Sequence, residues 1–143
     1  LTVPPRAESK VSMAYPQLLG RSHLLRALDE LEQTSVKLLH SKTGAALAEH
    51  VFCEPKEECD AIFSHTTGKA GMTKLDKILY LADYMEPTRD FDGVEELRRL
   101  VWEDLDQAMI LGLEMSIEEL KERGVPVHRN TLAALEDLQR RQQ

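Results

Sequence analysis

Two histidines and one aspartate stand where side chains can act as metal ligands. His40, His65 and Asp83 fall in three successive stretches of helical hydrophobic period, each beside apolar residues. Imidazole and carboxylate together suit a borderline transition metal such as iron, manganese or zinc. A metal with open positions lowers the pKa of bound water and supports attack on phosphorus. The three residues therefore predict a metal site for phosphate chemistry.

Groups suited to phosphate follow the second histidine and the aspartate in the sequence. Backbone amides in a turn can cradle phosphate oxygens, and an arginine can bind a phosphate through two hydrogen bonds. The candidates for substrate binding are Thr66, Thr67, Gly68, Lys69 and Arg89. Lys69 and Arg89, together with Asp83, are also the candidate catalytic groups.

Each of these residues also has a simpler interpretation. His65 stands near a predicted helix end, where a histidinium is favoured by the helix dipole. His40 lies within the apolar pattern LLHSKTGAALA, where a lone histidine is more often a satisfied interior residue. Asp83 on its own is most simply a partly exposed carboxylate.

The elements that hold these residues are predicted to be helices. Helical period runs almost throughout, with no alternating stretch long enough for a strand. We therefore expect an all-α protein, a compact bundle of about six helices. Residues 1–21 carry no sustained period and are expected to be poorly ordered or atypical, and residues 22–143 are expected to form the helical domain.

Local signals place the helix ends. They predict one helix from about Leu38 to Phe52 and a long one from Val94 to Leu120 with a break near 102–104. The end signals are Pro55 at a first helical position, Gly68 at a C-terminus, a capping pair of Thr73 and Asp76, Gly124 as a stop, and Asn130 or Thr131 as a last N-cap.

The apolar spacing also predicts which faces are buried. Leu75, Ile78, Leu79 and Ala82 form the expected apolar stripe of the helix that carries Asp83. His40 shares a face with Gly44, and this glycine would allow a neighbouring helix to approach closely. The three ligand candidates are thus expected to face the interior.

Composition limits the class of protein. The 143 residues suffice for one domain with a core, and no apolar run reaches membrane-spanning length. No signal peptide is visible, and two cysteines are too few for a disulfide framework, so we expect reduced thiols and a cytoplasmic protein. The net charge of −7 argues against nucleic acid as a partner.

The motifs around these residues resemble a known family. LLHSKTGAALA (38–48), HTTGKAGM (65–72) and KILYLADYMEPTRDFDGVEELR (77–98) closely resemble the symmetrical bis(5′-nucleosyl)-tetraphosphatases of the HD-domain superfamily. The similarity continues through residues 103–124 and VHRNTLAALEDL (127–138). The resemblance implies an all-helical fold, two metal ions with iron favoured, and cleavage of diadenosine tetraphosphate into two molecules of ADP.

The resemblance also implies roles for particular residues. His40 matches the ligand histidine of the first motif, His65 that of the HTTG motif, and Asp83 the closing aspartate. The groups that match the family's polyphosphate contacts are Thr66, Gly68, Lys69 and Arg89. Lys77, Tyr80 and Glu86 also match the pattern, without an assigned role.

The sequence departs from the family pattern upstream. That family carries an earlier histidine and a His-Asp dipeptide, whereas this chain has no such dipeptide and only His23 before His40. With half of the ligands missing, we expect weak metal affinity, with one ion or none, and poor activity. A fragment, a degenerate relative and a ligand supplied from elsewhere are the competing explanations, and the start at Leu1 favours the first.

Two further hypotheses remain open. The chain could be a non-catalytic nucleotide-binding or interaction domain that binds ADP or a dinucleoside polyphosphate. Alternatively, its histidines and aspartate only pack and cap. Missing N-terminal helices would also leave apolar faces open, which predicts a molten or self-associating chain, such as a homodimer.

Overall fold

The computed structural model describes residues 30–31 and 35–143, and within them it contains six α-helices and no strand. The helices are α1 Val36–His50, α2 Lys56–Ser64, α3 Lys74–Tyr84, α4 Val94–Glu103, α5 Leu105–Glu122 and α6 Arg129–Arg141. The predicted all-α class is confirmed. The segment 1–21 and the first part of the predicted helical domain, residues 22–29 and 32–34, lie outside the described residues.

Most predicted helix ends are present for the physical reasons that the sequence indicates. The Thr73 hydroxyl accepts from the Asp76 amide, and the Asp76 carboxylate accepts from the Thr73 amide, which forms the capping box of α3. The break between α4 and α5 lies at Asp104, whose carboxylate accepts from the amides of Asp106 and Gln107 at 3.0 Å each. The last helix differs, because its N-cap is His128 rather than Asn130 or Thr131.

The main core lies between the last four helices. Its fully buried side chains are Leu81 of α3, Leu97 of α4, Met109 and Leu113 of α5, and Leu138 of α6. Gly112 lets α3 pack closely on α5, since a Cβ at this position would lie 3.1 Å from Leu81 Cδ2. This core fixes the C-terminal half of α3, which carries Asp83.

The first two helices pack on each other through small residues. Ala45, Ala46 and Ala48 of α1 are buried, and a Cβ at Gly44 would lie only 3.3 Å from Ile62 Cγ2 of α2. The predicted close approach at Gly44 is therefore confirmed. Lys42 is also buried here. Its ammonium donates to the Phe63 carbonyl oxygen at 2.8 Å and lies 3.5 Å from the centre of the Phe63 ring.

Two predicted faces were wrong. On α3 the buried residues are Asp76, Lys77, Tyr80 and Leu81, whereas Ile78 of the predicted stripe is 45% exposed. Leucine and isoleucine spacing alone therefore selected the wrong side, because the ion pairs of Asp76 and Lys77 allow these charges to be buried. His40 and Asp83 are likewise exposed rather than interior.

Two composition-based predictions can be compared with the described residues. Cys53 and Cys59 are free thiols, as the sequence predicts. No helix in the described part of the chain is long and apolar enough to cross a membrane.

Candidate functional site

A pocket of about 450 Å³ lies where five of the helices meet. It lies between the start of α1, the turn after α2, the last turns of α3, the end of α5 and the segment leading into α6. The lining residues include Ser35, Lys37, Leu38, His40, His65, Thr66, Thr67, Tyr80, Asp83, Tyr84, Arg89, Ser116, Leu120, Arg123, Val125, Pro126, His128 and Thr131. Six of the predicted site residues are therefore brought together: His40, His65, Thr66, Thr67, Asp83 and Arg89.

The two predicted histidine ligands face each other at this pocket. Their Nε2 atoms lie 3.0 Å apart, and their rings meet edge to face with centroids 5.0 Å apart. The packing of α1 on α2 explains this meeting, because Gly44 is one turn after His40 and Ile62 is one turn before His65. The tight helix contact therefore sets the register of the pair.

The tautomer of His65 follows from its second ring nitrogen. Nδ1 lies 2.6 Å from the Ile62 carbonyl oxygen, which only accepts, so Nδ1 carries the proton and donates. In the neutral ring, Nε2 then presents a lone pair, and the His40 Nε2–H group donates to it. A histidine that ligates a metal through Nε2 is oriented in the same way by its Nδ1–H.

The pair fits part of a metal site. Two nitrogens bound to one ion at about 2.1 Å would lie ~3.0 to 3.4 Å apart, and the observed separation is 3.0 Å. However, no group of three His, Cys, Asp or Glu residues that could hold an ion occurs within 30–31 and 35–143. Asp83 lines the same pocket without joining the histidines in such a group. Two of the three predicted metal ligands thus lie together, and the metal site itself, with the role of Asp83, stays a prediction.

The pocket carries positive charge in an acidic protein. Among the described residues, its lining includes three cationic side chains, Lys37, Arg89 and Arg123, and a single carboxylate, that of Asp83. Arg89 lies 3.8 Å from the Glu86 carboxylate, and Arg123 donates a hydrogen bond to Glu119 at 3.1 Å, so each arginine is paired with a carboxylate at the surface. Such a cluster within a chain of net charge −7 makes this pocket the candidate site for an anionic ligand.

Two tyrosines of α3 supply neutral donors on the same wall. Burial raises the pKa of Tyr80 well above its usual range, while a hydrogen bond with Ser116 lowers it slightly. Burial, reinforced by the Glu119 carboxylate, raises the pKa of Tyr84 to about 12, although Arg89 acts in the opposite direction. Both phenols therefore stay protonated at neutral pH. Tyr84 also packs on Phe91, with ring centroids 5.0 Å apart.

Two predicted phosphate groups lie away from the pocket lining. Lys69 pairs with Asp76, Nζ to Oδ2 at 3.1 Å, beside the capping box of α3. Gly68 turns the chain with a φ of +70° and packs on α6, where a Cβ would lie 3.2 Å from that of Ala134. The structure therefore shows a charge-pairing role for Lys69 and a packing role for Gly68. The contact of either residue with phosphate stays a prediction.

Several pocket residues were missed by the sequence reasoning. They are Lys37, Tyr84, Ser116, Arg123 and His128. Tyr80 and Tyr84 could have been found, because they are four residues apart and share a helix face with each other. His128 gave no such signal, since its Nδ1 caps α6 by accepting from the Asn130 amide at 3.0 Å.

Comparison with known proteins agrees with the motifs, although no family model matches the sequence. The symmetrical bis(5′-nucleosyl)-tetraphosphatase of Bacillus subtilis is 40% identical over 96 residues, which cover 66% of this chain and 52% of that protein. The same-named protein of Halalkalibacterium halodurans is 41% identical over 103 residues, covering 71% and 55%. The chain thus spans about half the length of the curated relatives it matches.

A solved structure identifies the fold. It is described as a predicted HD superfamily hydrolase involved in NAD metabolism from Clostridium acetobutylicum, with a TM-score of 0.75 and 37% identity over 80% of this chain and 61% of that one. The chain therefore has the all-helical fold of the HD superfamily. Within this superfamily the chain is a relative of the symmetrical bis(5′-nucleosyl)-tetraphosphatases, and the resemblance of the motifs is confirmed.

Proposed function

We propose that this domain binds dinucleoside tetraphosphates in the pocket and hydrolyses them, with a divalent metal, to two nucleoside diphosphates. The observation that carries the proposal is the pair of facing histidine Nε2 atoms at the edge of a pocket with three cations and one carboxylate. Metal ligands beside groups that bind phosphate are the arrangement that phosphoryl chemistry requires. The names of the relatives support the choice of substrate.

The residues of the chain have distinct roles in this proposal. Arg89, Arg123 and Lys37 bind the phosphate oxygens and balance the charge that spreads over them during cleavage. The protonated Tyr84 phenol donates a neutral hydrogen bond to the same chain of phosphates. The Thr66 hydroxyl, which donates to Ser41 Oγ at 3.2 Å in this structure, turns to the phosphates when the ligand binds. Asp83 is the carboxylate placed to accept a proton or to contribute to metal binding.

The metal would be held by His40 and His65 through Nε2. When bound, a divalent ion supplies a Lewis acid and an acidified water. Iron is the metal that the family resemblance favours, and the HD superfamily fold supports a divalent ion in general. Because the described residues provide only two facing donors, the other positions fall to water or to residues outside 30–31 and 35–143. We therefore expect weak metal binding and slow turnover.

A second candidate function is nucleotide binding without turnover. The lack of a third ligand beside the two histidines, within the described residues, favours it. The three cations of the pocket remain in place and need no metal to bind a diphosphate. Either function would take a dinucleoside polyphosphate or ADP as its small-molecule partner, whereas a homodimer and a cytoplasmic location stay predictions.

One experiment separates the two functions. The chain is loaded with Fe²⁺ or Mn²⁺, and ADP release from diadenosine tetraphosphate is followed by anion-exchange chromatography. We expect ADP as the product and a loss of at least about tenfold in rate for Asp83→Ala. Asp92→Ala, an exposed aspartate in the loop after α3, is the control that keeps the rate.

The outcomes are distinct. If the parent and Asp83→Ala both remain at the detection floor, the chain is not the hydrolase. If ADP then still raises the melting temperature without metal, the nucleotide-binding function holds. If neither metal nor ADP shifts the melting temperature, both functions fail.

A further inference from the structure

Arg98 of α4 holds the loop that carries Arg89, although it is not among the pocket-lining residues. Its guanidinium donates to three backbone carbonyls: Nε to Met85 O at 3.1 Å, and Nη2 to Glu86 O and to Arg89 O, both at 2.9 Å. Its Nη1 pairs with the Glu95 carboxylate on the same helix. All donors that the described residues show for this side chain therefore serve either its own helix or this one loop.

Two of the three carbonyls, those of Glu86 and Arg89, belong to one tight turn. Arg89 N–H donates to Glu86 O at 2.9 Å, so the turn from Glu86 to Arg89 closes on itself. The carbonyls of its first and last residues then meet at the same Arg98 nitrogen. Arg98 thus joins both ends of the turn and fixes the backbone from which the Arg89 side chain enters the pocket.

The contact also satisfies the end of α3. The last carbonyls of a helix have no partner within the helix, and their partial negative charge favours a cation there. Met85 is the C-cap of α3, and its carbonyl accepts from Arg98 Nε. A lysine would keep the charge but has one nitrogen, so it cannot reproduce the fork that spans the turn.

We propose that Arg98 is a positioning residue, which locks the Glu86–Arg89 turn so that Arg89 can bind the phosphates of the ligand. The effect on the ligand rests on the proposed function, whereas the locking of the turn does not. Arg98 is only 26% exposed, so it acts through the loop and not as a direct contact.

The first test measures the turn itself in the full chain without ligand. Hydrogen exchange followed by mass spectrometry reports on the amides of residues 85–92. We expect Arg98→Lys to speed exchange in this peptide by about tenfold or more, because the turn opens more often. Arg99→Lys is the matched control. Arg99 is the next residue on α4, an exposed arginine that pairs with Glu103 at 2.6 Å and, within the described residues, shows no hydrogen bond to the turn. Equal exchange in Arg98→Lys and the parent would overturn the locking role.

The second test is a double-mutant cycle on ADP affinity, measured by calorimetry. We expect Arg98→Lys and Arg89→Gln each to raise the Kd for ADP by about tenfold, and the double variant to be no weaker than Arg89→Gln alone. The fall in melting temperature caused by Arg98→Lys should be the same in both backgrounds. A purely structural role would not make its binding effect depend on Arg89.

Two results would overturn the effect on the ligand. One is an unchanged Kd in Arg98→Lys, and the other is an equal loss of affinity with and without Arg89. If the parent chain does not bind ADP at all, the proposed function fails and the ligand effect with it, while hydrogen exchange still decides whether Arg98 locks the turn.

Discussion

His40 and His50 lie on the same helix, yet only His40 lines the pocket. His50 is at the last position of α1, exposed, with its Nε2 3.7 Å from Glu49. Ten residues of helix separate the two rings, which places them on different faces. His50 therefore serves as an internal control for His40, since, of these two, only His40 has a proposed role in metal binding.

This comparison gives a prediction about metal binding. We expect His40→Ala to weaken Co²⁺ binding by at least about tenfold, because one of two facing nitrogens is lost. His50→Ala should bind as the parent does. The visible absorption of Co²⁺, titrated against each variant, measures the affinity. Equal affinities for the parent and His40→Ala would show that the pair is not a metal site.

At the scale of elements, the tight contact of α1 on α2 aligns the histidine pair. We predict that Gly44→Ala reduces Co²⁺ affinity while the melting temperature changes little. A Cβ 3.3 Å from Ile62 Cγ2 forces the helices apart by a few tenths of an ångström, whereas alanine favours helix formation by about 1 kcal/mol. Ile62→Ala removes the Cγ2 methyl group that the new Cβ would contact, so Co²⁺ affinity should recover in the double variant Gly44→Ala/Ile62→Ala. No recovery would argue against the contact as the cause.

A second element contact ties the turn after α2 to α6. The Gly71 amide donates to Asp137 at 2.9 Å, and this hydrogen bond, followed by the charge of Arg141, lowers the pKa of the Asp137 carboxyl. A lowered pKa means that the carboxylate stabilises the fold above the pKa of the unfolded chain, and that this stabilisation disappears as the pH falls through the folded value.

We therefore expect Asp137→Asn to lower the melting temperature at pH 7 and to have little effect at acid pH, below the folded pKa. Thermal unfolding followed by circular dichroism across this range measures the difference. Asp90→Asn, at an exposed loop aspartate, is the control. A gap between parent and Asp137→Asn that stays constant down to acid pH would contradict the assignment.

What the sequence predicted also depended on scale. Several signals contained in a few neighbouring residues were correct, as at the Thr73–Asp76 capping box and the Asp104 break, although the predicted N-cap of the last helix was not. The position of the Lys69 side chain is set by an ion pair with Asp76, seven residues away. The sequence alone does not distinguish a lysine that pairs with a carboxylate from one that binds phosphate. Burial of Lys77 beside Asp106 at 2.5 Å likewise requires a distant partner, so the face of α3 was assigned wrongly.

At the scale of the whole molecule, the acidic surface and the cationic pocket act in opposite directions on an anionic ligand. We predict that the affinity for ADP falls as salt is raised from low to physiological concentration, because the screening length shortens to about 8 Å. Adenosine, which has no charge, is the control and should bind with little dependence on salt. Calorimetry at several salt concentrations measures both. The same salt response for the two ligands would argue against phosphate recognition.

The outer surface leaves one expectation untested. Trp102, Val36 and Phe52 are 88%, 83% and 69% exposed, respectively. Large apolar side chains in water favour association, so the predicted self-association of the chain stays a prediction. Light scattering that shows a clean monomer with a sharp thermal transition would count against it.

The hydrogen bond from His65 to the Ile62 carbonyl gives the proposed metal site a link between folding and metal affinity. That carbonyl belongs to the last turn of α2, so the ring presents its Nε2 lone pair only while this turn is wound. If the turn frays, either nitrogen can carry the proton, and the bias toward the binding tautomer is lost. Metal binding and the winding of this single turn should therefore stabilise each other to the same extent.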